Sequence, residues 1–415
     1  MPPDPTSGAG EPRLRRSLSL PLLFFYGLGT IVGAGIYVLM GEVAGEAGLG
    51  APLAFALAAL IAAFTAFSYA ELSARFPQAA GEAVYLKTAF GRRWPAALAG
   101  WGVVAVGSVS SATLAHGFHG YLGLFLDLPA ALTLTALIIA LGSVAAWGIR
   151  ESAWFAAAVT CIELGGLVWV VFSGADALAT LPLRWQEMLP STGAVTWIGL
   201  GAGAFLAFYA FIGFEDMVNV AEEVRNPQRT LPRAIIGALI ASTLLYVVVA
   251  LVAVLTVPME RLAGSPVPLA EVVRAGTGRE PIWIGLVSLV AVVNGALIQI
   301  IMASRVLYGM GLRGMGPARF ARVHPRRRTP LLATLAVTAA VLVLALALPL
   351  GQLARITSLI TLLVYAGVNA ALWHIRRRDG RATDSVAWPL WVPVAGFLVS
   401  LALVGVQATR LLTGG

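Results

Sequence analysis

Apolar residues along this chain run on for about twenty positions at a time, broken by short segments that carry Pro, Gly and charge. A helix rises about 1.5 Å per residue, so each run is long enough to cross a hydrocarbon core about 30 Å thick. The pattern predicts eleven helices, at approximately 19–44, 51–74, 95–125, 130–148, 153–174, 196–221, 233–257, 281–311, 331–349, 353–375 and 388–412. Ten-residue segments of strict alternation, the mark of a porin-type barrel, are not present. The first run is too long for a cleavable signal peptide and lacks a small-residue cleavage site.

Composition narrows the class. Of 415 residues 59% are hydrophobic and 12% charged, against roughly a quarter charged in soluble domains. A water-soluble globule, a disordered chain and a coiled coil are excluded, leaving an all-α membrane protein. The Pro/Gly/Ser-rich start is expected to be disordered, and the longest polar connection, roughly 174–196, has no room for a soluble domain. The expected organisation is a cytoplasmic N-terminus at 1–16, five-helix sets at 17–175 and 196–376, and an extra helix with the C-terminus at 385–415. The single Cys161 provides neither a disulfide nor a thiolate metal site.

Charge then orients the spans. With the N-terminus placed in the cytoplasm, 22 of the 28 Lys and Arg residues fall on the inside and 6 outside, a strong positive-inside bias. Eleven spans put Gly415 outside. The runs Arg326–Arg328 and Arg376–Arg378 belong to this signal at the lipid headgroups, and no nucleic-acid partner is expected. Acids divide nearly evenly between the two sides, except that Glu163, Glu215 and Asp216 fall within hydrophobic runs. Each costs about 2.5–3.5 kcal/mol at the centre of a lipid-facing helix on insertion scales. Together they require a polar interior, and they single out the fifth and sixth helices.

Two helices carry signs of a break. Gly27, Gly29, Gly33 and Gly35 put four glycines into nine residues of the first, at about 1 kcal/mol each relative to Ala. Unwinding at Gly33–Ala34–Gly35 would direct free N–H groups into the membrane, a site suited to a carboxylate. The same glycines equally fit close helix packing. In the sixth run, Gly213 followed by Glu215 and Asp216 is hard to explain by packing and easy to explain by an unwound turn lining a cavity. Gly33 and Gly213 sit at corresponding positions of two five-helix sets. Five is an odd number, so the sets would have opposite topology, the five-plus-five inverted repeat of alternating-access transporters.

These residues resemble the amino acid permeases of the amino acid–polyamine–organocation (APC) superfamily over roughly 17–376. The resemblance is carried by Gly29 to Tyr37, by Ser68 to Leu72 with Phe76–Pro77 and Gly81 to Tyr85, and by Gly148 to Ser152. Phe211 to Glu215, running on to Ala221 through Pro232, is its most specific part. Ser304 to Tyr308, with Arg313–Gly314, looks like the family's eighth helix and the loop after it. It implies the inverted-repeat fold with helices 1 and 6 broken, and uptake or exchange of amino acids or related amines. It also implies that Gly33, Ala34, Gly35 and Ile36 receive the substrate carboxylate. Carbonyls at Tyr209, Ala210, Phe211 and Gly213 would take the amino group, Phe211 and Phe214 would act as aromatic gates, and Gln299 would lie near the substrate. Many relatives have twelve spans, and several proton-coupled ones carry a lysine where this chain has Glu163.

The expected activity is therefore secondary active transport across the cytoplasmic membrane, coupled to protons or run as exchange, with a polyamine or cationic amino acid carrier as the alternative. Glu163, Glu215 and Asp216 are the candidates for coupling or gating, and Asp216 could instead cap the helix that follows it. Ser108, Ser110, Ser111 and Asn294 are further candidates for the pocket. His116 and His119 share a helix face, but no third ligand stands at useful spacing, so an interhelix contact is expected in place of a metal. No phosphate loop, cofactor motif or nucleophile–base pair is present, which sets aside ATP coupling and an intramembrane enzyme. The expected partners are substrate, lipid bilayer and proton, with the oligomeric state left open.

Overall fold

The computed structural model describes residues 18–77, 81–147, 153–190, 195–324, 329–381 and 386–413. The N-terminal segment 1–16, Gly148 to Ser152 and Arg326–Arg328, all used above, lie outside the described residues. Every regular element among those described is helical, apart from one backbone bridge between Leu18 and Val224. The first half contains α1 (Leu20–Ala47), α2 (Ala51–Arg75), α3 (Gly81–Phe90), α4 (Arg93–Leu122), α5 (Ala130–Trp147) and α6 (Ala153–Ser173). A chain of short turns that includes α7 (Leu181–Arg184) leads to α8 (Trp197–Ala207), α9 (Asp216–Asn219) and α10 (Pro227–Thr256). After α11 (Met259–Leu262) and α12 (Pro268–Thr277) come α13 (Ile282–Leu312), α14 (Leu331–Ala347), α15 (Leu350–Asp379) and α16 (Trp391–Thr413).

A helix, whole or interrupted, occupies each of the eleven apolar runs. Among the described residues seven stretches are long and apolar enough to cross a membrane, eight if the pair bent by 53° around Gly174 is one span, and Leu331–Ala347 and Trp391–Gln407 are shorter apolar helices. This is an all-α, multi-span membrane fold. Local chemistry accounts for the ends. Pro21, Pro52 and Pro227 stand in the first turns of α1, α2 and α10, where a missing N–H costs nothing. The Thr196 side chain caps α8 by accepting from the Gly199 N–H at 3.0 Å. Gly278 and Gly380 end α12 and α15 with positive φ.

The apolar pattern passes over α3 and α12 because both are short. In α12, Leu269, Ala270, Val272 and Val273 are buried while Glu271 and Arg274 bond each other at the rim, so its apolar stripe docks on the protein and never forms an unbroken run. Packing centres on α1, which touches α6, α8, α10 and α13; the most extensive pairings are α4 with α13 and α2 with α10. Small residues allow the close approaches. A Cβ on Gly107 of α4 would lie 2.9 Å from the Ala303 side chain of α13, the small-residue contact that membrane helices use.

Candidate functional site

Inside α1 the backbone leaves helical geometry at Gly33 (φ −12°, ψ −151°) and resumes it at once. The departure is narrower than the Gly33–Ala34–Gly35 unwinding expected from sequence: Ala34 continues the helix, though its side chain is outside the described set, and Ile36 is fully buried in the helix beyond it. Across from it, α8 ends at Ala207, the chain turns tightly through Phe208–Phe211, Ile212 is extended, and α9 begins at Asp216. Gly213 holds φ +135°, and a Cβ there would stand 2.4 Å from the Thr30 carbonyl oxygen. Only glycine meets both conditions.

The two irregular segments are tied directly to each other. The Thr30 hydroxyl lies 2.9 Å from the carbonyl oxygens of Gly27 and Gly213. Tyr246 of α10 donates its hydroxyl to the Ile31 carbonyl at 2.7 Å and reaches the Ala210 carbonyl at 3.0 Å. Gly35 is close enough to Ala210 that a Cβ would meet its Cα at 2.9 Å. Side-chain hydroxyls thus reach carbonyls of both irregular segments, and the Gly213 carbonyl also accepts from the Asp216 N–H at 3.1 Å, as backbone at membrane depth requires.

A cavity of about 40 Å³ lies between the two segments, with Gly33 and Gly35 on one side, Tyr209 and Asp216 on the other, and Ser110, Asn294 and Gln299 from α4 and α13. Tyr209 is held by Ser110, their hydroxyls 2.7 Å apart. The space is narrow and suits water. Ser108 and Ser111 are occupied elsewhere, bonding the carbonyls of Val104 and Ala296. Phe211 and Phe214 do not line the cavity. Both are fully buried, Phe211 stacked edge-on against Tyr246 and Phe214 against Tyr69, and neither Ala210 nor Gly213 lines the cavity.

Asp216 and Gln299 also border a second, smaller cavity that contains Glu82, Glu215, Tyr69 and Tyr365. Here the Glu215 carboxylate accepts from the Gly213 N–H at 2.8 Å and the Tyr365 hydroxyl at 2.7 Å, while Tyr69 donates to Glu82 at 3.0 Å. Glu82 lies on α3, which is not a membrane-crossing helix, and burial, with Glu215 adding to it, pushes its carboxyl up to about 7. Three acids from α3 and the α8–α9 turn therefore converge, where the sequence marked two. Glu163 stands apart on α6, fully buried. Its carboxylate oxygens accept no hydrogen bond within normal geometry, its polar neighbour is Asn294, and its backbone carbonyl accepts from Tyr37.

Sequence reasoning missed Thr30, Tyr246, Tyr365 and Glu82. Glu82 lay in a quoted motif, yet nothing local said that α3 would fold its carboxylate into the bundle. His116 bonds the carbonyls of Ala345 and Leu348, an interhelix contact.

Interrupted helices enclosing a small polar cavity within a multi-span apolar bundle define a membrane permease. Residues 18–411 match the model of the amino acid permease family. The chain belongs to that family, within the APC-like permeases, and is a transporter rather than an enzyme. It is similar to the branched-chain amino acid permease BcaP of Bacillus subtilis, 29% identical over 89% of this chain and 83% of that one. An uncharacterised transporter of Mycobacterium tuberculosis is 33% identical over 89% of this chain and 82% of its own length. Human cationic amino acid transporter 4 is 30% identical over 95% of this chain and 66% of its own.

Proposed function

We propose that this protein is a secondary active transporter that moves amino acids across the cytoplasmic membrane by alternating access. The observation that carries the reading is the pairing of the Gly33 kink with the Phe208–Asp216 break around one polar cavity. In this reading the chain crosses the membrane eleven times. Taking Leu20–Arg75 as α1 and α2, and adding the bent pair and the two shorter apolar helices, reaches that number. The N-terminus is cytoplasmic, as the 22 to 6 distribution of Lys and Arg favours. Residues 17–175 and 196–376 form the inverted repeat with helices 1 and 6 broken, and 385–415 add the last helix.

The substrate carboxylate would sit at Gly33, Ala34, Gly35 and Ile36, and its amino group at the carbonyls of Tyr209, Ala210, Phe211 and Gly213, beside Gln299. Phe211 and Phe214 would have to leave their packed positions to act as gates, and widening the narrow cavity for substrate calls for movement of this order. The test is a thermal-shift screen of amino acids and amines on purified protein, followed by uptake into proteoliposomes. Binding stabilises the folded state by about 2.7 kcal/mol at a hundred times Kd. If no amino acid raises the melting temperature or is taken up, the reading fails.

Coupling falls to Glu163, with Glu215 and Asp216 at the gate. A buried carboxylate with no cation beside it and one amide, Asn294, as its polar neighbour is costly, and binding a proton removes the charge. Glu163→Gln is expected to reduce proton-driven uptake to the rate measured without a gradient while leaving substrate counterflow intact. Unchanged gradient-driven uptake in liposomes would show that Glu163 carries no proton.

A second reading, a carrier of cationic amino acids or polyamines, is favoured by Asp216, which borders both cavities, and by the similarity to proteins named cationic amino acid transporters. A hydrogen bond to a charged group is worth about 1.5–3 kcal/mol. Asp216→Asn is then expected to weaken competition by arginine or putrescine about 10- to 100-fold while competition by leucine changes little. Equal effects on both ligand classes would remove this reading.

A further inference from the structure

Outside the transport path, a cavity of about 610 Å³ opens between α3, the start of α4 and the loop after α13. Its charged lining consists of Lys87, Arg93 and Arg313, with no acid among the lining residues, and its remaining walls include Ala83, Val84, Ala96 and Met315. Among the described residues none of the three cations forms an ion pair, and all three are exposed. This contrasts with Arg75, Arg376 and Arg378 nearby, each of which holds a carboxylate.

The backbone adds a second, independent indication. Arg93 is the first residue of α4, a helix of 30 residues whose first turn contains no acid and whose start is not capped by any side chain. A helix start carries a partial positive charge and free N–H groups, so a cation there is unfavourable and an anion is favoured. Four sources of positive potential therefore converge on one cavity whose described lining contains no acid.

The location selects among anions. In the orientation proposed above, on which this step rests, Lys87, Arg93 and Arg313 belong to the cytoplasmic side, which holds most of the Lys and Arg. Trp94, 63% exposed, and the exposed Phe90 stand at the same α3–α4 corner, where aromatic side chains mark headgroup level. Apolar walls below a basic rim suit a phosphate ester that continues into acyl chains, and basic pockets between helices at this level bind such headgroups.

We propose that this cavity binds the phosphate of an anionic phospholipid, with Lys87, Arg93 and Arg313 and the N-terminus of α4 as its ligands. The opposite face of α3 packs Gly81 against Val218 and places Glu82 against Tyr69, so the bound lipid braces the helix that supplies one of the three clustered acids.

The test is native mass spectrometry of the full chain in detergent, titrated with phosphatidylglycerol, phosphatidylcholine of matched chains, or inorganic phosphate. Wild type is expected to bind one phosphatidylglycerol at least about tenfold more tightly than phosphatidylcholine, and each cation removed to weaken it about fivefold. Lys87→Gln with Arg93→Gln and Arg313→Gln should abolish the preference. If that variant does not fold, Lys87→Gln and Arg313→Gln singly are each expected to weaken phosphatidylglycerol binding about fivefold. Arg319→Gln with Arg322→Gln, outside the cavity, should leave binding unchanged. Wild-type binding in the cavity variants, equal loss in the Arg319 and Arg322 variant, or no preference over phosphatidylcholine overturns the proposal. So does stabilisation by inorganic phosphate without any by phosphatidylglycerol, which would make the occupant a soluble anion.

Discussion

Gly213→Ala is expected to abolish uptake and to lower thermal stability, the largest effect of any single methyl group added at the site. The backbone at Gly213 adopts φ +135°, a region that costs an L-residue about 1–3 kcal/mol. Its Cβ would also lie 2.4 Å from the Thr30 carbonyl oxygen and 2.7 Å from the carbonyl carbon. The neighbour is backbone, so it cannot rotate away, and forced separation adds about 1–3 kcal/mol. Moving α1 from the turn would also disturb the Thr30 contact with Gly213 and the Tyr246 hydroxyl that joins Ile31 to Ala210. Gly165 of α6 is the control, since nothing lies within 4 Å of its Cβ, and Gly165→Ala should melt at or slightly above wild type. The measurements are the melting temperature in detergent and flux in proteoliposomes. Wild-type flux in Gly213→Ala would mean that the turn is free to relax and does not define the site.

The second large effect belongs to a buried ion network that joins α2, α15 and Trp388. Glu71 of α2, with no exposure, accepts from Arg376 of α15 at 2.9 and 3.0 Å, from Arg75 at 2.7 Å, and from the Trp388 N–H at 3.2 Å. Arg376 returns a bond to the Trp388 carbonyl at 2.9 Å. One carboxylate thus holds α2, α15 and the segment entering α16 together. Breaking a buried pair from one side costs about 3–5 kcal/mol, because the remaining charge has no partner. Glu71→Leu is expected to destabilise by this amount, since it leaves two guanidinium groups without their anion. Arg376→Met alone should cost less, because Arg75 remains. Joining the two changes should recover part of the loss, as replacing a buried pair with apolar groups often does. A double-mutant cycle on unfolding measures the coupling, and strictly additive losses would show that the pair is not an energetic unit. Arg376→Lys keeps the charge but not the planar fork and should fall between.

That network also shows what could be read along the chain and what could not. Glu71 stood in a quoted motif and Arg376 in a basic run assigned to the headgroups, yet they meet across 305 positions. The same holds for Tyr365 and Glu215, 150 apart, and for Tyr246 and Ile31, 215 apart. Phe211 and Phe214, expected at gates, stack among tyrosines contributed by α2, α10 and α15. The long apolar helices are legible along the chain, as are the glycine-rich stretch around Gly33, equally compatible with close packing, and the acids that follow Gly213. Transfer of consecutive apolar residues into lipid, and the cost of glycine and carboxylates within it, are sums over neighbouring positions. The three-dimensional packing is what brings Glu82 to Glu215 and Asp216, sets Glu163 beside Asn294, and puts Lys87, Arg93 and Arg313 around one cavity. Those outcomes depend on which helix faces pack together, and a burial pattern that is apolar on nearly every face does not specify its partner.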